Sequence, residues 1–587
     1  MAFELDEVRR LTGPNLLSDE PGAIADVLFT EVEASRVLEC WLRHLAECRT
    51  AINWQHGQQS YYRFYDGGLS VSISAPMDLL YSACELLELA WDLCVQELAS
   101  KAQERAELID LPARIEALKQ AIAEEQHPAL LALMHQAEVH NVLCLTDDDE
   151  ISLGTGPSSQ TWPVTELPDI DSIAWSDYKE VPLALITGTN GKSTSVRLAA
   201  EIAKAAGINA GVTSTDFIKV GDTIIDEGDY SGPGGARMLL RDKRTEMAFL
   251  EVARGGLLRR GLPVKQARAA LVTNVASDHL GQYGINTVDD IANVKTMVGK
   301  AIGPLRSNDY LSAQTIAMQS AADKKRILVL NADDKRLAAQ ATLLNMPICW
   351  FSTDANHPLI LQAIAKKLPC VFALNGELIY SDDKQSSIAQ ITDIPMTING
   401  TAMHNVQNAL GVIGLCKAMN IDEAAIKAGL LSFASSAKDN PGRGNLYEVN
   451  GVTVIVDFAH NSHSMQAVID MASKMPAKHK LVMFSHGGDR SDQDIKDVTD
   501  AVRALDPATY VLAELERYLR GRAVGEISTL VQKHLLENGV TSNKILLADD
   551  PLDGAKKIMS HAKSGDLVLL FVLNDRENVQ DYLLSLT

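Results

Sequence analysis

Residues Leu183–Thr194 read Leu-Ala-Leu-Ile-Thr-Gly-Thr-Asn-Gly-Lys-Ser-Thr, an apolar run that breaks at two glycines and resumes as a helix-like segment. Few arrangements satisfy this order. The apolar run fits a buried strand, and Gly188 and Gly191 permit a tight turn with inward-facing N–H groups. The segment that follows adds the positive end of a helix. Lys192 can place an ammonium against outer phosphates, and the Ser193 hydroxyl can ligate Mg²⁺. The loop is shorter than the GxxxxGK[ST] pattern, but its Lys-Ser pair and strand context fit a phosphate-binding loop better than an ordinary strand–helix turn.

The surroundings predict an α/β chain. At 587 residues it is long enough for about three to five domains. Residues 1–165 form an α+β part, with a strand near Val71–Ser74, an aromatic-rich run at Tyr61–Tyr65, and Leu/Ala/Glu-rich helices from Asp78 to His140 broken at Pro112 and Pro128. Arg63 and His56 in this part read as structural or solvated. Asp147–Ser159, acidic and then rich in Gly, Ser and Pro, reads as a linker. Residues 166–438 alternate strands and helices, as a parallel P-loop sheet requires, with strands expected at Leu183–Thr187, Met247–Val252, Ala270–Val275 and Ile327–Leu330. Residues 439–587 repeat the alternation as a smaller Rossmann-like part, with strands expected at Val452–Val456, Leu481–Phe484, Tyr510–Leu512, Ile545–Leu547 and Leu567–Leu573.

Composition narrows the function classes. A net charge of −22 argues against a general nucleic-acid or anionic-membrane binder. The eight cysteines form no CxxC pair, so free thiols in a reducing compartment are expected. The first residues lack a basic end and an apolar core, and no apolar run spans a bilayer. A cytoplasmic protein is expected.

The polar residues with chemistry fall at expected carboxyl ends of strands, where ligands sit in such sheets. Glu251 ends one strand and suits a divalent cation. Arg254 precedes two glycines. Asp278 and His279 follow the next strand, and Asn331 to Asp334 the one after. On the same edge as Lys192, Ser193 and Glu251, a metal or phosphate role for His279 outweighs a structural one.

Together these residues carry a resemblance. Gly188-Thr-Asn-Gly-Lys-Ser-Thr194, Glu251, Thr273-Asn-Val-Ala-Ser-Asp-His279, Gly400-Thr-Ala-Met-His-Asn-Val-Gln-Asn-Ala409 and Asp457-Phe-Ala-His-Asn-Ser462 resemble, in this order, the motifs of the Mur ligase superfamily. Ser462 stands where the family motif DYAHNP ends in Pro. Gly228–Pro233, Glu251–Arg259, Gly488–Asp494 with Arg520-Gly-Arg522, and Leu11-Thr-Gly-Pro-Asn15 are similar to cyanophycin synthetases. Those enzymes carry an ATP-grasp domain between their N-terminal and Mur-like parts, and the stretch between Glu150 and Leu183 is too short to hold one.

The resemblance implies an ADP-forming ligase that uses ATP and Mg²⁺ to join an amine to a carboxylate through an acyl phosphate. By the family pattern, Gly188, Thr189, Asn190, Gly191, Lys192, Ser193, Thr194, Asn331, Asn405 and Asn408 would hold the nucleotide. Ser193, Glu251 and His279 would hold the metal. Lys192, Glu251, His279, Lys295, Arg443 and Asp457 would serve catalysis, Lys295 aligning with a lysine carbamylated in some members. Ser231, Arg254, His460, Asn461, Asp489, Arg490, Arg520 and Arg522 are candidates for the substrate region, with a solvated charge cluster as an equal alternative for the residues from Asp489 to Arg522. The substrates implied are an amino acid, arginine first and glutamate second, and a peptide-like carboxylate acceptor. A homo-oligomer is also implied. The rival reading is a non-catalytic nucleotide-binding partner of a separate ATP-grasp enzyme.

Overall fold

The computed structural model describes residues 3–57, 59–99, 109–302, 326–434, 436–437 and 439–586. Lys438, the expected end of the central part, lies outside them. Among the described residues no helix is long and apolar enough to cross a membrane.

The largest sheet has eleven strands in the order Thr223–Glu227, Phe217–Val220, Ala210–Thr213, Met247–Glu251, Leu183–Thr187, Ala269–Val272, Ile327–Asn331, Ile348–Ser352, Cys370–Leu374, Glu377–Ser381, Gln385–Gln390. From Ala210–Thr213 to Cys370–Leu374 the strands run parallel; the pairings outside them are antiparallel. Strands such as Leu183–Thr187 and Ala269–Val272 are buried along their whole length. Helices cover both faces, which is why these strands read as continuous apolar runs. Leu183–Thr187 sits at the centre, so the loop that follows it opens at the middle of the sheet's carboxyl edge.

A second sheet of six strands runs Arg443–Val449, Val452–Asp457, Leu567–Phe571, Lys480–Phe484, Thr509–Ala513, Ile545–Ala548, and is parallel except for its first strand. The amino-terminal sheet is wholly antiparallel, in the order Phe3–Leu11, Gly22–Phe29, Gly68–Ser74, Ser60–Tyr65. The helices Ala34–Ala51 and Leu80–Leu98 pack with it into one core around Trp41 and Trp91, whose ring centroids lie 4.9 Å apart. The expected breaks at the prolines are found: Pro112 and Pro128 sit in the first turns of the helices Leu111–Glu125 and Pro128–Val139, where a missing N–H costs nothing.

The expected linker is corrected by the structure. Cys144–Thr146, Glu150–Leu153 and Gln160–Pro163 form a three-stranded antiparallel sheet. Ile151 and Leu153 are fully buried in a small core with Leu130 and Leu133. The acidic residues that suggested a solvated linker are paired, with Asp147 and Glu150 both bound by Arg241 at 2.9 and 2.8 Å. All eight cysteines are free thiols.

Candidate active site

The loop after Leu183–Thr187 takes a shape only glycine allows at two positions. Gly188 has φ 149° and Gly191 φ 85°. A Cβ on Gly188 would fall 1.8 Å from Thr273 Oγ1, and one on Gly191 2.2 Å from Asn408 Oδ1. Gly191 caps the helix Lys192–Ala205, so the first N–H groups of that helix face the loop. The Lys192 ammonium folds back and donates to the carbonyls of Gly188 and Thr189 at 3.1 and 3.0 Å.

The neighbouring strand stops early to hold this loop. The expected strand Ala270–Val275 ends at Val272. Thr273 then donates its hydroxyl to the Asn190 carbonyl at 2.6 Å, and the Asn274 carbonyl accepts the Thr189 N–H at 2.9 Å. Asn331 in turn donates to the Thr273 carbonyl at 3.0 Å. Asn405 and Asn408 lie on the helix Met403–Ala418, joined by a 3.2 Å hydrogen bond, and put Asn408 against Gly191. The Thr194 hydroxyl accepts a hydrogen bond from buried Asn440, which also binds Arg197.

Glu251 closes its strand 2% exposed, and neither carboxylate oxygen has a hydrogen-bond partner of ordinary geometry among the described residues. Burial raises its pKa; Lys192, Arg443, the Ser193 hydroxyl and Arg197 pull the other way. A buried carboxylate left in this state is costly and suits a cation. The Ser193 hydroxyl acts on this carboxylate, and oxygen donors of this kind suit a hard divalent ion, whereas the His279 imidazole faces Arg490, Asp278 and Asp489.

His279 has a left-handed backbone (φ 49°), and Arg254 donates to its carbonyl at 2.6 Å. Its ring stands 3.2 Å from Arg490 and 3.8 Å from both Asp278 and Asp489. Burial lowers the His279 pKa, with Arg490 and Arg254 adding to the effect against Asp278 and Asp489. Burial works to raise Asp278, but His279, His460, Arg490 and Lys192 outweigh it and hold the group at about 2. Lys295 is presented on the helix Val288–Thr296, whose start is fixed by a Thr287–Asp290 capping box. It is 3% exposed, and burial takes its pKa well below the usual lysine value, helped by Lys192 and Arg254 and opposed by Asp278 and Glu251.

The six-stranded sheet meets this edge with its own carboxyl end. Asn461 and Asn190 exchange side-chain amide hydrogen bonds of 3.1 and 3.3 Å, and His463 lies 2.9 Å from the Asn190 amide. Arg490 pairs with Asp278 at 3.0 Å. Arg443 sits beside Asp457 in the strand register and over the Phe458 ring at 4.5 Å. Burial pushes Asp457 up to about 6, against Arg443 and the N–H groups of Ala459, Gly444 and Phe458. Burial also lowers His460 to about 4, opposed by Asp278.

Three expected substrate residues stand elsewhere in the arrangement. Arg522 is committed to the carbonyls of Gly488 and Arg490 and to Asp492 and Glu526, so it reaches the site only through the Arg490 backbone. Arg520 lies beside the Tyr518 ring, 5.9 Å away. Ser231 bonds Asp229 at 2.6 Å and packs its carbonyl on the start of the Arg254–Arg260 helix. The sequence reading left out a network that ties the two large sheets together: Asp216 binds both Arg197 and Arg576, and Arg576 also holds the Pro441 carbonyl. No motif marks Asp216 or Arg576. Asp278, by contrast, stands next to His279 in the sequence.

Two family models match in chain order: Mur ligase middle domain over residues 186–305, and Mur ligase, glutamate ligase domain over residues 442–571. The cyanophycin synthetase of Trichormus variabilis is 34% identical over 358 residues, covering 61% of this chain and 37% of that protein. The cyanophycin synthetase of Geminocystis herdmanii is 31% identical over 426 residues, covering 71% and 46%. The chain thus spans less than half the length of these relatives. E. coli FolC, solved in complex with DHPP and ADP, superposes with a TM-score of 0.50 at 18% identity, over 69% of this chain and 89% of that one. The chain thus carries, in order, a Mur ligase middle domain and a Mur ligase glutamate ligase domain, and it is similar to cyanophycin synthetases across most of its own length.

Proposed function

We propose that this chain is an ATP-dependent, ADP-forming carboxylate–amine ligase, with arginine as the amine and an aspartate side chain of a peptide-like acceptor as the carboxylate. The observation that carries the reaction class is Glu251, buried without a hydrogen-bond partner of ordinary geometry among the described residues, beside a glycine-shaped loop that ends in Lys192 and Ser193. The choice of arginine and aspartate rests on the resemblance to cyanophycin synthetases in Gly228–Pro233 and Gly488–Asp494.

When bound, ATP supplies the phosphoryl group and Mg²⁺ offsets its charge. An acceptor carboxylate oxygen attacks the γ-phosphorus and ADP leaves; the amine then attacks the acyl carbon and phosphate leaves. The N–H groups at the start of the Lys192–Ala205 helix and the Lys192 ammonium would hold the outer phosphates, Lys192 exchanging its two carbonyl partners for phosphate oxygens, while the Thr189 and Asn190 N–H groups stay on Asn274 and fix the loop. Ser193 and Glu251, with His279 by the family pattern, would hold the metal. The Asn190–Asn461 and Asp278–Arg490 contacts draw the six-stranded sheet over the loop, which keeps water from the activated acyl group. Asp457, raised to about 6, takes the proton that the amine releases. The lowered pKa of Lys295 moves its amine toward the neutral form that carbamylation requires.

The test is a screen of amino acids against short acidic peptides, read by ADP release and product mass. Amide product with ADP is expected only when both substrates and Mg²⁺ are present, and Lys192→Ala should reduce the rate by at least about 100-fold. A glutamyl product would move the reading to the glutamate-adding alternative. ADP release that Lys192→Ala leaves intact would refute the loop assignment.

A further inference from the structure

The loop that carries His279 is built from backbone conformations that do not hold themselves. Within six residues, His279, Gly281, Tyr283 and Gly284 all have positive φ (49°, 86°, 58° and 62°). For His279, and more so for bulky Tyr283, this region is uncommon unless surrounding contacts impose it. Those contacts come in large part from the amino-terminal sheet.

Arg63, on the edge strand Ser60–Tyr65, donates to the carbonyls of Tyr283 and Gly284, both at 2.9 Å. Arg9 lies over the Tyr283 ring at 4.6 Å and donates to the Leu258 carbonyl at 3.2 Å. Gly284 is pressed against the Tyr65 ring, where a Cβ would fall 2.4 Å from it. The same sheet grips the helix that starts with Arg254. Thr12 N–H donates to the Arg260 carbonyl at 2.8 Å, and Leu262 N–H to the Pro14 carbonyl at 2.7 Å. This gives the Leu11–Asn15 motif a role that the chemistry above left unused. Arg254 joins the two gripped pieces through the His279 carbonyl and Gln282.

We propose that the amino-terminal sheet is a positioning scaffold for the His279 loop and Arg254, with Arg63 as its principal positioning residue. The sheet formed by residues 3–74 is therefore not a detachable module: it sets where His279 points. The kinetic part of the proposal rests on the ligase reading; the structural part does not.

The full-length protein is compared as wild type, Arg63→Ala, Arg63→Lys and Tyr65→Ala. Without nucleotide, hydrogen–deuterium exchange of peptides covering 279–286 should quicken by about 30-fold in Arg63→Ala, the loss expected for two hydrogen bonds. Peptides of the six-stranded sheet should not change. Arg63→Lys, able to reach one carbonyl, should recover part of the protection, and Tyr65→Ala should give a smaller loosening without removing a charge. In the ADP-release assay, kcat should fall and the Mg²⁺ needed for half-maximal rate should rise, by about 10- to 100-fold combined, as for other groups that orient a metal ligand. The KM for ATP should move less. Unchanged protection of 279–286 overturns the proposal, as does a loss of protection spread across the six-stranded sheet. Loosening of the loop with unaltered kcat and Mg²⁺ dependence overturns it too. A wild type that releases no ADP under any condition would sink the ligase reading, while the exchange result still decides whether the sheet holds the loop.

Discussion

Replacing Gly191 by alanine isolates what the loop geometry contributes to nucleotide binding. Gly191 holds φ 85° at the residue before Lys192, and an L-residue there costs about 1–2 kcal/mol. The added Cβ would stand 2.2 Å from Asn408 Oδ1. Asn408 is buried and donates to Asn405, so pushing it aside loses a hydrogen bond worth ~1 kcal/mol. The two effects sum to about 2–3 kcal/mol against the binding-competent loop, roughly 30- to 150-fold in affinity. Equilibrium titration with a fluorescent ATP analogue and Mg²⁺ reads it directly. Gly207→Ala is the control: φ is 75° there, but nothing lies within 4 Å of its Cβ, and it follows the far end of the same helix. It should lose a little stability and no affinity. Wild-type affinity in Gly191→Ala, or an equal loss in both variants, would refute the reasoning.

Glu251→Gln should abolish Mg²⁺-dependent turnover yet raise the denaturation midpoint of the nucleotide-free protein, because an amide avoids the cost of desolvating a carboxylate that burial disfavours; a lowered midpoint would contradict the cation-site argument. Asn461 also caps the helix Ser462–Lys474, so Asn461→Ser should keep stability while losing the reach to Asn190 and about tenfold in turnover, measured by ADP release beside thermal unfolding. Burial lowers His486 from 6.5 to about 3, with Arg490 and His460 acting in the same sense. The unfolded chain therefore binds this proton first, and stability falls as pH drops from about 6.5 toward 3. His486→Gln should flatten the urea midpoint against pH over that window, and an unchanged slope would remove His486 from the account.

The central loop was legible because every local signal agreed: a fully apolar run, two glycines with no alternative at their angles, and a helix start. Glu251 was legible as a strand-end carboxylate. What stayed hidden was set by distance along the chain. Ala210–Thr213 and Ile348–Ser352 are short strands of four and five residues, and the Gly207 and Pro347 that precede them went unread beside the longer apolar runs. Asn375-Gly376 and Asn450-Gly451 did carry a hairpin signature, both residues of each pair having positive φ, and went unread beside the stronger parallel pattern. Asp147 and Glu150 looked solvated because their partner, Arg241, lies some ninety residues later. The Arg197–Asp216–Arg576 network joins residues up to 360 positions apart, beyond the reach of spacing arguments.

At Gly13 and Gly261, two backbones meet with no room for a side chain between them: a Cβ on either would fall 2.6 Å from the other segment's carbonyl oxygen. A seam of that kind tolerates no independent drift. A chimaera that imports a foreign amino-terminal sheet would have to import the strip around 260–262 and the turn at 281–286 with it, so the front of this protein and its catalytic edge are inherited as one piece.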